Sequence, residues 1–143
     1  MGLQSDRRRA NENMSAQVSA DRVSRVVRAY FLAIRAMDAE AFANTFAEDG
    51  TTYDPVGTPG ITGRPAIREF LESICKNFKN VGLTEESIFV AGDGAAVKWI
   101  GKGTSTSGRD VTFEGIDVFE VNSDGKIQNA RAYWNPQEMI AQL

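Results

Sequence analysis

The stretch Val111–Val121, "VTFEGIDVFEV", sets Val111, Phe113, Gly115, Asp117, Phe119 and Val121 on one side of an extended chain. Thr112, Glu114, Ile116, Val118 and Glu120 fall on the other, because successive side chains of a strand point to opposite faces. Such an alternation marks a strand with one face on a core and one toward water. Asp117 lies on the apolar side. An ionised carboxylate there is costly, so it must be paired or kept neutral. A structural hydrogen bond, or a bulge at Gly115 that turns the acid outward, accounts for it as readily as chemistry does.

Outward from this strand, Ser87–Ala91, Ala95–Lys102 and Ile127–Trp134 have strand composition, and "STSG" (Ser105–Gly108) and "NSDG" (Asn122–Gly125) supply turns. Before them the period changes. Val23, Val26, Val27, Tyr30, Ile34 and Met37 recur at three and four, one face of a helix over about Asp21–Met37. Asp38 can cap a second helix bearing Phe42 and Phe46, and Thr51–Tyr53 is a short strand. Pro65 suits the first turn of a third helix with Ile67, Phe70, Leu71, Ile74 and Phe78 on its apolar face. Three helices followed by a run of strands predict an α+β domain. The helices pack on one face of a curved, mostly antiparallel sheet and enclose a cone-shaped apolar pocket. Residues 19–143 are expected to form one domain. The polar segment 1–18, with Arg7, Arg8 and Arg9, shows no period and is expected to be a disordered tail or an expression remnant, with Met14 as an alternative start.

The chain has 143 residues, 42% hydrophobic and 24% charged, with a net charge of −3. That balance predicts no nucleic-acid partner. Neither a signal peptide nor an apolar run of membrane-spanning length is visible, so a cytoplasmic protein is expected. The single cysteine, Cys75, forbids an intrachain disulfide and reads as a structural thiol. The histidine count is zero, which excludes Ser-His and Cys-His triads and histidine metal sites. Gly101-Lys102-Gly103 does not open a helix and is no phosphate loop. Any proton chemistry must rest on carboxylates, tyrosine or lysine, or on a cofactor.

"TTYDPVGTPGITG", Thr51–Gly63, puts Asp54 where a strand leaves the sheet, followed by proline and a glycine-rich loop. Alone, Asp54 is a turn residue, Tyr30 a core tyrosine, and Trp99 and Trp134 core or pocket-wall aromatics. In combination they carry more. "YFLAIRAMDAEAFANTFAEDGTTYDPVG", "GRPAIREF", "FEGIDVF" and "GKIQNARAYW" resemble, in the same order over roughly Val23–Trp134, the bacterial ketosteroid isomerases of the nuclear-transport-factor-like fold. The resemblance implies Asp54 as general base and Tyr30 with a protonated Asp117 as an oxyanion hole. It places Trp99 and Trp134 on the steroid site, with Val56, Phe70 and Phe119 as further substrate contacts. It also implies a steroid Δ-isomerase without cofactor or metal, acting on a small apolar carbonyl compound as a homodimer away from membranes. Supporting tyrosines of some members are replaced by Phe46 and Leu71. Two rivals stand beside it: a polyketide cyclase or dehydratase on the same fold, and a non-catalytic apolar-ligand-binding or dimerisation domain.

Overall fold

The structure is a computed structural model that describes residues 2–143. Helix α1 (Gly2–Arg35) is followed by α2 (Ala39–Asn44), β1 (Phe46–Tyr53), β2 (Ile61–Thr62) and α3 (Arg64–Cys75). Four strands complete the sheet, β3 (Phe78–Ala91), β4 (Gly94–Ser105), β5 (Asp110–Val121) and β6 (Ile127–Tyr133), and α4 (Pro136–Ile140) follows. The sheet order is β2-β1-β6-β5-β4-β3. Every neighbouring pair is antiparallel except β1 and β6, which run parallel.

Apolar periodicity explains how the layers meet. Val23, Val27, Tyr30 and Phe31 of α1 are buried with Ile67 and Leu71 of α3 against Val97, Trp99 and Phe119 of the sheet. Asp38 caps α2, its side chain accepting from the Ala41 N–H at 3.0 Å. Helix α3 opens at Gly63, where φ is +91°, a conformation glycine adopts without steric cost. Strand β5 is as its sequence pattern predicts: Val111, Phe113, Asp117, Phe119 and Val121 face inward. Its register with β4 is unbroken from Asp110 to Glu120, so there is no bulge at Gly115.

Several boundaries differ from expectation. Phe46 starts β1 rather than ending α2, and Phe78 starts β3 rather than ending α3. β3 is a long edge strand whose pairing slips between Phe78 and Asn80 and again between Glu85 and Ser87. Each slip breaks the two-residue alternation and hides the strand's first half. The segment expected to lack regular structure is helical from Gly2 onward. It lies on solvent through Gln17 and extends the docked half of α1. Once a helix is nucleated by packing, each added residue brings one hydrogen bond. The Arg8–Glu12 ion pair and the Gln17–Asp21 hydrogen bond, four residues apart, support the extension. No helix among the described residues is long and apolar enough to cross a membrane.

Candidate active site

Helices α1, α3 and α4 and the inner sheet face enclose a cavity of about 240 Å³. Its polar groups are Tyr30, Asp54 and Asp117, and the rest of the wall is largely apolar, including Ile34, Phe70, Leu71, Phe113 and Met139. Each polar group is delivered by a different element. Tyr30 comes from the buried face of α1. Its ring is wedged by Phe31, Phe42 and Phe119, with centroids 5.0, 5.0 and 4.9 Å away. Burial, followed by the charges of Asp117 and Asp54, holds its phenol well above the usual tyrosine range. Tyr30 is therefore a neutral donor.

Asp54 follows the last residue of β1, and its bond to Pro55 is cis. Just beyond, the Val56 N–H donates to Ala132 O at 2.8 Å, which carries the β1–β6 association past the end of the strand. Trp134 follows β6, and its indole N–H donates to Asp54 Oδ1 at 2.6 Å. Asp54 keeps some surface on the open cavity, yet protein encloses it on nearly every side. Burial raises its pKa, and the Trp134 hydrogen bond opposes that rise.

Asp117 is only 2% exposed. The Trp99 indole N–H donates to its Oδ1 at 2.9 Å. Burial first, then the charge of Asp54, push its pKa up to about 8 against the lowering influence of Trp99 and Tyr30. At neutral pH the cavity thus holds a neutral phenol and, in Asp117, a neutral acid, and the charge of Asp54 raises the pKa of both.

The two tryptophans meet edge to face at 6.1 Å, and a glycine makes room for them. A Cβ on Gly115 would lie 2.6 Å from the Trp99 ring and 2.7 Å from Trp134 Cβ. Trp99 pairs with Gly115 across the β4–β5 ladder, so its indole crosses the bare glycine and meets Asp117 on the diagonal.

Of the residues expected at the site, Tyr30, Asp54, Asp117, Trp99, Trp134 and Phe70 share this cavity. Val56 and Phe119 do not line it. Val56 lies 42% exposed on the loop after β1, and Phe119 is buried behind Tyr30 as a packing support. Phe46 is also fully buried, 6.1 Å from the Tyr30 ring, whereas Leu71 lines the cavity. The sequence reading missed α4, which brings Pro136 and Met139 to the wall. Its signal was present: Asn135 caps the helix and Pro136 occupies its first turn. The indole–carboxyl pairs had no local signal, because their members lie 18 and 80 residues apart.

Comparison with known proteins agrees with this architecture. The SnoaL-like domain family matches residues 27–130. A steroid Δ-isomerase of Nocardioides simplex is 30% identical over 128 residues, 89% of this chain and 97% of that protein. The epoxide hydrolase/cyclase-like enzyme SalBIII, of pyran ring formation in the polyether salinomycin, superposes with a TM-score of 0.73 at 26% identity, covering 82% of this chain and 94% of that one. The Mycobacterium tuberculosis protein RV0760c, in complex with estradiol-17beta-hemisuccinate, shares the fold with a TM-score of 0.73 at 24% identity, over 82% and 96% of the two chains. The chain belongs to the SnoaL-like domain family and has the ketosteroid isomerase-like fold.

Proposed function

We propose that the protein is a steroid Δ-isomerase, moving a double bond from the 5,6 to the 4,5 position of a 3-ketosteroid. Asp54 removes a proton from the carbon between the carbonyl and the double bond. Tyr30 and neutral Asp117 donate to the carbonyl oxygen as it becomes a dienolate oxyanion. Asp54, now protonated, returns the proton to the far end of the conjugated system, so no cofactor is consumed. The observation that carries the reading is that two acids and a phenol share one apolar cavity, with Asp117 held neutral by burial and by the charge of Asp54. The Nocardioides relative supports the substrate class.

The cavity, about 240 Å³, falls below the range of about 300–1,000 Å³ usual for pockets that enclose drug-sized ligands. A four-ring substrate would bury its reacting end and leave its far end at the mouth. The test is the growth of conjugated-enone ultraviolet absorbance from 5-androstene-3,17-dione. Turnover supports the isomerase, and steroid binding without turnover points to a ligand-binding domain. A second reading, a cyclase or dehydratase, draws on the same neutral Asp117, which can transfer a proton outright as well as donate a hydrogen bond. Under that reading the steroid gives neither turnover nor tight binding. We also read Ile116, Val118 and Tyr133, exposed on the outer sheet face, as part of a homodimer surface, which sedimentation of the intact protein tests.

A further inference from the structure

We propose that Trp99 is a positioning residue for Asp117: its indole N–H claims Oδ1 as an acceptor and thereby confines the acidic proton to Oδ2. The inference rests on the reading of Asp117 as a neutral oxyanion donor. A carboxylic acid has one good acceptor, its carbonyl oxygen, and one donor, its hydroxyl. The indole N–H can only donate. With Trp99 Nε1 at 2.9 Å from Oδ1, the acid is stabilised when Oδ1 is the carbonyl oxygen. Flipping the carboxyl would point a hydroxyl at an N–H and strand two donors in a site where Asp117 is 2% exposed, a costly mismatch. Without the indole the remaining side-chain hydrogen-bond partner is Tyr30, whose hydroxyl can donate or accept and so does not fix which oxygen carries the proton. Part of the population then presents an acceptor to the substrate carbonyl.

The surroundings leave this role to Trp99. The titratable groups facing Asp117 are Tyr30 from α1 and Asp54 from the end of β1. Lys98, next to Trp99 on β4, is turned to the other sheet face, where it pairs with Glu114 and Glu86. Arg131 on β6 is exposed. No cation among them competes for Oδ1. The geometry is also built for the contact. Gly115 removes the one side chain that would block the indole, and Phe113 packs the ring edge to face at 5.8 Å. Trp99 therefore does more than furnish wall area.

The same N–H stabilises the ionised carboxyl and so lowers the pKa of Asp117. Orientation is gained against some readiness to ionise. This opposition separates positioning from packing. Trp99→Phe keeps an aromatic ring and deletes the donor. Parent and variant are compared by carboxyl-carbon NMR of aspartate-labelled protein across pH, and by kcat and KM for 5-androstene-3,17-dione. The parent also shows two indole N–H resonances, one per tryptophan, and the one lost in Trp99→Phe identifies Trp99. We expect that resonance in the parent to shift with the same midpoint as the Asp117 carbon. We expect the variant to raise that midpoint by about half a unit to one unit and to lower kcat by roughly five- to tenfold with little change in KM, the effect of about one hydrogen bond. Should Trp99→Phe fail to fold, the resonance lost in Trp134→Phe assigns the remaining one to Trp99, so the parent indole measurement still decides. An indole resonance that ignores the Asp117 titration, or a variant with unchanged midpoint and kcat, overturns the positioning role. An Asp117 carbon that titrates near 4 in the parent instead removes the neutral-acid premise, and with it the oxyanion reading.

Discussion

Replacing Asp117 by asparagine tests the neutral acid without a substrate. Asparagine keeps the shape, still accepts from Trp99, and still offers a donor to the cavity, but it cannot ionise. In the parent the folded pKa is about 8, against about 3.9 in the unfolded chain. Between those values the native state binds one proton more than the unfolded state. The stability of the parent therefore falls as pH rises through this window, by about 1.4 kcal/mol per unit. Below about pH 4 both states are protonated and the penalty is absent; above about pH 8 both are ionised and it stops growing. Four units accumulate up to ~5–6 kcal/mol, a large share of the ~5–15 kcal/mol that holds a domain folded. Asp54 is common to both proteins and faces an uncharged neighbour in each over most of the window, so its own titration largely subtracts out. Urea unfolding at fixed protein concentration from pH 4 to 8, followed by tryptophan fluorescence, reads the difference. Asp117→Asn should gain on the parent steadily with pH. A difference that is flat or shrinking would refute the reasoning, because it requires an Asp117 that is ionised or hydrated in the folded protein.

Asp54→Asn should cut isomerisation by about 10²–10⁴-fold while steroid binding survives, since an amide cannot take up the proton; parent-like turnover would return Asp54 to the role of a turn residue. The same substitution should move the Asp117 titration below about 8 by carboxyl-carbon NMR, because it deletes the charge that ranks second among the causes raising that pKa. Tyr30→Phe should slow kcat by roughly 10²-fold, about 3 kcal/mol of lost oxyanion stabilisation, with circular dichroism unchanged. Gly101→Ala should cost about 1–3 kcal/mol in urea unfolding, because a Cβ there would meet the Phe113 ring at 2.4 Å and force a ring that packs on both Trp99 and Trp134 to shift.

How much of this was written locally in the chain varies from element to element. Strand β5 could be read residue by residue, because both its faces obey one rule: water on one side, core on the other. The inward aspartate was visible for the same reason. Tyr30 could be placed on its helix face but not at the cavity, since periodicity gives a direction and not a neighbour. The resemblance supplied that link, and in the structure Tyr30, Asp54 and Asp117 share one cavity. Phe119 was misplaced because an inward residue on β5 can face the cavity or the layer beneath it, and alternation does not distinguish these. Val56 stands outside the cavity because its backbone N–H is tied to Ala132 O while its side chain lies exposed on the loop. The first half of β3 was illegible because its bulges shift the period. The arm of α1 before the docked segment was illegible because it has no apolar face to repeat. The indole–carboxyl pairs arise only when distant strands are laid side by side.

The parallel pairing of β1 with β6 has a consequence in time. A ribosome makes Asp54 early and its indole partner Trp134 near the end of the chain. Until β6 is complete, β1 has only the two-residue β2 to pair with, and nothing fixes the residue that leaves it. Closing so long a loop is entropically slow, so the setting of Asp54 is among the last features of the molecule to form. A chain broken off before Ile127 would carry Tyr30, Asp54 and Asp117 in full, yet lack both Ala132 and Trp134, which anchor Asp54 and its neighbour Val56. The C-terminal strand contributes no acid of its own, yet it determines when the cavity closes around Asp54.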